Sequence, residues 1–151
     1  MEACIIMDEL QISQLPSNFY VYEMSDYHLL NCDKEAKDLL DKGAYKSANN
    51  RAFYAIEKSV KALLATKKVE VVTHNGSLKQ FNYLFIFKGD GTFSTEDYQI
   101  IAKAEQIRNA SDYDDFYVAS KFESRQQVEN AKYLFDKISQ YITDHFGILS
   151  E

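Results

Sequence analysis

Apolar residues in this chain recur three and four positions apart far more often than they alternate, which is the spacing of helices and not of strands. Leu29, Cys32, Ala36, Leu39 and Leu40 fall within one third of a helical wheel, and Gly43 supplies a stop, so the pattern predicts a helix over about 25–42. A second helix is predicted over about 44–67, where Ala52, Phe53, Ile56, Val60, Leu63 and Leu64 share one face. Its opposite face carries Arg51, Tyr54, Lys58 and Lys61, either as a solvated basic surface or as the wall of a cleft.

The stretch "SLKQFNYLFIFKG" is ambiguous. Its aromatic and β-branched content favours a strand, yet Leu78, Phe81, Leu84 and Phe85 also form a short helical stripe. Only the marginal "VEVV" at 69–72 reads as a strand nearby, so a short helix is expected. "GDGTF" marks a turn, and "STED" reads as a capping box with Ser94 as N-cap and Asp97 three residues on. Ile100, Ile101, Ala104 and Ile107 then predict a helix over about 95–112. In a last helix Val128, Ala131, Leu134, Phe135, Ile138, Tyr141 and Ile142 share one face, and Gly147 is its expected stop. The expected fold is all-α, an antiparallel up-down helical bundle of four long helices plus a short helix. Residues 25–147 would form the bundle and residues 1–24 an irregular N-terminal leader.

Composition narrows the picture. One proline and five glycines among 151 residues suit long helices, and 46% hydrophobic content suits a packed core. A net charge of −6 argues against broad, sequence-independent affinity for nucleic acid, which depends on Lys and Arg neutralising phosphates, although a local basic groove is compatible with it. Cys4 and Cys32 have no metal-ligand spacing and read as free thiols of a reducing cytosol. The opening "MEACIIMDEL" lacks the basic start of a signal peptide, and no apolar run approaches the ~20 residues that span a bilayer, so a cytoplasmic protein without membrane association is expected. There is no phosphate loop, dinucleotide fingerprint or nucleophile elbow, and His28, His74 and His145 lie too far apart for a metal site. No metal or cofactor is expected.

Chemistry concentrates in "IRNASDYDDFY", residues 107–117. Continuing the wheel of the 95–112 helix places Arg108 inside the isoleucine stripe and Asp112 at its border. Their i,i+4 spacing allows an intrahelical ion pair, worth only about 0.2–0.5 kcal/mol. Such a pair leaves unexplained why an arginine occupies an apolar stripe; it must pair across helices or face a cleft or interface. His74, in "THNG", reads either as a turn residue bonding locally or as part of a site, and His145, near a helix C-terminus, reads as structural.

Taken together, "SANNRAFYAIEKSVKALLATKK", "TH", the aromatic run ending in "KG", and "IRNASDYDDFY" before a final helix resemble the HEPN domains (higher eukaryotes and prokaryotes nucleotide-binding) over about residues 25–146. The small stand-alone prokaryotic branch, often paired with minimal nucleotidyltransferases, is the nearest in pattern. The resemblance implies a homodimeric helical bundle belonging to a toxin–antitoxin-like or defence pair, with nucleotide or RNA bound in a dimer cleft. In nuclease members an Arg, often followed by a polar residue, acts with a His four to six positions later to cleave RNA without metal. Arg offers a planar clamp for phosphate, and His moves the proton. By this resemblance Arg108 matches the Arg and Asn109 its polar neighbour.

The family's His position is occupied instead by Asp112, Tyr113 or Asp114. A carboxyl with a pKa of about 3.9 is a weak base and acid at neutral pH. The resemblance therefore implies binding more firmly than cleavage and leaves enzyme activity open. The expected site is Arg108 with Asp112 as the reactive pair, and Arg51, Tyr54, His74, Asn109 and Tyr113 as binding residues. The rival expectation is a non-catalytic helical adaptor in which the same residues serve a dimer interface.

Overall fold

The computed structural model describes residues 34–146 apart from Glu70 and Val72. The leader 1–24, the start of the first helix, Cys4, Cys32, His28, half of the "VEVV" segment and the stop at Gly147 lie outside the described residues. Helix α1 is described over 34–41, followed by α2 (Tyr45–Ala65), α3 (His74–Phe81), α4 (Thr95–Tyr113) and α5 (Lys121–Phe146). No strand occurs among the described residues, as the all-α expectation requires.

Gly43, at φ 79°, adopts the left-handed conformation that ends α1, and the Ala44 N–H closes the turn on the Leu39 carbonyl at 2.9 Å. Arg51 of α2 then reaches Glu35 of α1 across the hairpin, at 3.3 Å. The directions of the long helices follow from two further contacts. The Ser124 hydroxyl donates to the Tyr45 carbonyl at 3.2 Å, so α5 begins where α2 begins. The Asn49 amide donates to the Ser111 hydroxyl at 3.3 Å, joining the start of α2 to the end of α4. Helix α4 thus runs antiparallel to both α2 and α5.

Helix α2 lies at the centre, packed against α4 and α5, and its buried positions go well beyond one stripe. Ala48, Asn49, Ala52, Ala55, Ser59 and Ala62 are small or polar residues that let neighbours approach closely, while Phe53, Ile56, Val60, Leu63 and Leu64 supply bulk. From α4 the core receives Ile101 and Ala104, and from α5 it receives Val128, Ala131, Leu134, Phe135, Ile138 and Ile142.

The ambiguous segment is helical, as expected, but not uniformly so. Helix α3 runs into a π-helical turn, Asn82–Phe87. There the Lys88 N–H bonds the Tyr83 carbonyl five residues back, at 2.9 Å. Phe81 and Phe85, four residues apart, both point inward and meet Phe93 at 5.5 and 5.8 Å between ring centres. Gly89 follows because a Cβ there would come within 2.0 Å of the Phe85 carbonyl oxygen.

Asp97 fixes the start of α4. It is fully buried, and its carboxylate accepts from the Ser94 backbone N–H at 3.0 Å, the Tyr133 hydroxyl at 2.9 Å and the Lys137 ammonium at 2.7 Å. The capping pair read from "STED" is thereby also the tie between α4 and α5. Burial pulls the Lys137 pKa down, but Asp97 and Tyr133 outweigh it and the net shift is upward. Asp97→Ala removes the cap and leaves the Tyr133 and Lys137 donors without their acceptor. It is expected to lower the unfolding free energy in urea titration by about 3 kcal/mol.

Candidate functional site

The Arg108 site forms where the last turns of α4 cross the middle of α2. Ile101, Ala104 and Ile107 of the α4 stripe are buried, and Arg108 follows them toward α2. Its guanidinium carbon lies 5.2 Å from the ring centre of Phe53, 5.8 Å from that of Tyr54 and 5.8 Å from that of Tyr113. Three ring faces at these distances attract the cation through their quadrupoles. Burial alone would lower the Arg108 pKa, but Tyr113, Tyr54 and Asp112 outweigh it, so the net shift is upward and the group stays charged.

Asp112 is the ionic partner read from the i,i+4 spacing, with Oδ2 3.1 Å from Arg108 Nε. The Nε–H is nevertheless not aimed at the carboxylate and makes no hydrogen bond. Closeness and alignment disagree here, and alignment decides the chemistry: the contact is coulombic and leaves this donor unspent. The cation is stacked among aromatic rings and its side chain is about a quarter exposed, while Nε itself is shielded from solvent.

His74, the first residue of α3, joins the same group through Phe53. Its ring centre is 5.1 Å from that of Phe53, and Nε2 is 3.3 Å from Glu105 Oε2. Neither ring nitrogen has an aligned hydrogen bond, and both are shielded from solvent. The helix beginning at His74 is capped by Thr73, whose hydroxyl accepts from the Gly76 N–H at 3.1 Å. Capping thus sets where the imidazole enters the bundle.

Tyr54, Arg108, Asp112 and Tyr113 are therefore brought together, and His74 reaches them through Phe53 and Glu105. Arg51 is not part of this group; its ionic partner is Glu35 of α1. Asn109 is exposed beside it. His145 stacks on Tyr141, with ring centres 3.9 Å apart, and faces Asp90 at 3.6 Å, in keeping with a structural role.

Sequence reasoning missed Phe53, Glu105 and a second polar group at the foot of α4. Glu105 precedes Arg108 by one helical turn, a spacing that could have marked it. In the second group, buried Asn49 reaches Ser111, and the Tyr117 hydroxyl donates to Glu123 of α5. Next to these, Tyr113, Phe116, Val118 and Phe122 are exposed apolar side chains, Phe116 at 94%. Among the described residues no group of three or more His, Cys, Asp or Glu could hold a metal ion, and no helix is long and apolar enough to cross a membrane.

The described residues form an all-helical bundle with an aromatic-boxed arginine near the end of α4. A family profile for the HEPN domain matches residues 31–143, well over half of the chain, and the chain belongs to that family. Two proteins of Methanocaldococcus jannaschii named as candidate toxins are similar to it. One is 39% identical over 79 residues, 52% of this chain and 57% of that protein. The other is 28% identical over 107 residues, 71% of each chain. A UPF0332 protein of Thermotoga maritima is 28% identical over 113 residues, covering 75% of this chain and 84% of its own. The match thus spans little more than half the length of the first of these relatives.

Burial, and then the Glu123 carboxylate that accepts its proton, push the Tyr117 pKa up to about 12. An unfolded phenol titrates near about 10. The folded chain therefore holds this proton to higher pH, and the stability it contributes is full below pH ~10 and lost as pH rises toward ~12. Alkaline difference spectra of the protein against Tyr117→Phe are expected to show one phenol ionising last, together with a loss of stability over that interval.

Proposed function

We propose that this HEPN protein is a toxin-like member of a toxin–antitoxin or defence pair that binds nucleotide or RNA at Arg108. The carrying observation is the guanidinium held among Phe53, Tyr54 and Tyr113 on a side chain about a quarter exposed. Such a group suits a phosphate for the cation and a base for the exposed Tyr113 ring. The names of the Methanocaldococcus relatives support the toxin-like reading. The exposed Tyr113, Phe116, Val118 and Phe122 beside the site support a homodimer in which two such sites face one cleft. A minimal nucleotidyltransferase is the partner that the sequence pattern suggests.

Binding is favoured over cleavage for two reasons. Asp112 stands where an acid–base group would act but is already engaged with Arg108. His74, the nearest imidazole, has both nitrogens shielded. A proton-transfer group must reach its proton within hydrogen-bond distance.

Fluorescence anisotropy with short single-stranded RNA and with ATP tests this reading. The full chain is expected to bind at least one of them, and Arg108→Ala is expected to weaken that binding about tenfold or more without RNA degradation in either case. If neither ligand binds, and Arg108→Ala instead dissociates a dimer, the site belongs to a non-catalytic adaptor.

A further inference from the structure

At the end of the bundle where α1 stops and α2 and α5 start, a cleft of about 330 Å³ is lined by Leu40, Asp41, Lys42, Gly43, Tyr45, Lys121 and Arg125. Three cations therefore face one carboxylate, on a chain whose net charge is −6. The side chains of Lys42, Lys121 and Arg125 take part in none of the ion pairs or hydrogen bonds among the described residues.

The fold does not account for this cluster. Lys121 and Arg125 stand four residues apart on α5, where like charges repel. They also occupy its first turns, where the helix dipole favours anions. A third contribution comes from α2, whose first turn begins beside Tyr45. It has no side-chain cap and no acidic residue, so its free N–H groups add positive potential at the rim. Helix α5, by contrast, is capped, since the Ser120 hydroxyl accepts from the Glu123 N–H at 3.0 Å. Local stability would be served by acidic residues here, and the chain keeps cations instead.

We infer that this cleft is a phosphate-binding site, formed by Lys42, Lys121 and Arg125 with the uncapped start of α2, and separate from the Arg108 site. Arg125 supplies a planar fork and the two lysines supply point charges, a combination suited to several oxygens of one phosphate group. The volume admits a phosphate group with part of a sugar or base. The same chemistry serves the phosphate of a free nucleotide and the backbone of an RNA strand.

Two probes separate those sources, both measured on the full chain. Pyrophosphate binding is read by isothermal titration calorimetry, and a ten-nucleotide RNA by fluorescence anisotropy. Saturable binding of pyrophosphate is expected, weakened about tenfold or more in Lys121→Gln/Arg125→Gln and kept within about twofold in Arg108→Ala. Should RNA alone bind, with the same loss in the double variant, the cleft holds the diester backbone and remains a phosphate site. The substituted side chains are exposed, so the thermal midpoint is expected to hold. Lys42→Gln, on a different helix, gives an independent reading of the same loss. Binding of neither probe, or binding that the Lys121, Arg125 and Lys42 substitutions all leave unchanged, overturns the assignment. Because Arg108→Ala is the variant that weakens binding at the aromatic box, failure there and failure here are told apart.

Discussion

The enclosure of helix α2 organises the rest of this molecule. A helix surrounded on most of its circumference must be lined with small residues wherever a neighbour crosses it. Ala48, Ala52, Ala55, Ser59 and Ala62 meet that demand, while Phe53, Ile56, Leu63 and Leu64 fill what remains. Once α2 is fixed, α5 must run alongside it and α4 against it, as the Ser124–Tyr45 and Asn49–Ser111 contacts record. The buried Asp97 then locks α4 to α5, so the end of α4 is delivered to the middle of α2 with little freedom.

The site follows from that delivery. Arg108 continues the apolar stripe of α4 and so points at α2, where Phe53 and Tyr54 offer ring faces in place of an aliphatic surface. The same Phe53 ring also neighbours His74, so the aromatic residue of α2 is the common support of both polar groups. Where the two parallel helices α2 and α5 begin, their positive ends lie close together, and the unpaired Lys121 and Arg125 strengthen that field. The bundle thus presents two cationic features, one boxed by aromatics and one open, on a chain that is acidic as a whole.

Much of this was legible in the sequence because it is local. The stripes of α2, α4 and α5, the Gly43 stop and the Ser94–Asp97 pair all depend on residues a few positions apart, which periodicity and capping rules read directly. The orientation of Arg108 was legible for the same reason. What escaped depends on where helices cross, which periodicity does not encode. Tyr133 and Lys137 converge on Asp97 from about ten turns of chain away, and Glu105 meets His74 only because α3 folds back onto α4. Arg51 shares the basic face of α2 with Tyr54, yet the hairpin turns it toward Glu35, a division that no helical wheel shows. "FNYLFIF" was divided between strand propensity and helical stripe; the stripe prevails, with Phe81 and Phe85 buried together, and the π-helical turn within it is not encoded by either pattern.

On the proposed function, Arg108 is kept for a ligand and not for the fold. Thermal unfolding of Arg108→Met tests this most directly, because methionine preserves the length of the side chain on the apolar stripe while removing the charge. Replacing a partly buried ion pair by an apolar residue of similar volume is commonly neutral or stabilising. A ligand-binding role predicts a midpoint equal to or a few degrees above that of the parent protein. A fall of about 6 °C or more, roughly 2 kcal/mol for a domain of this size, would show that the guanidinium holds the bundle together and would contradict it.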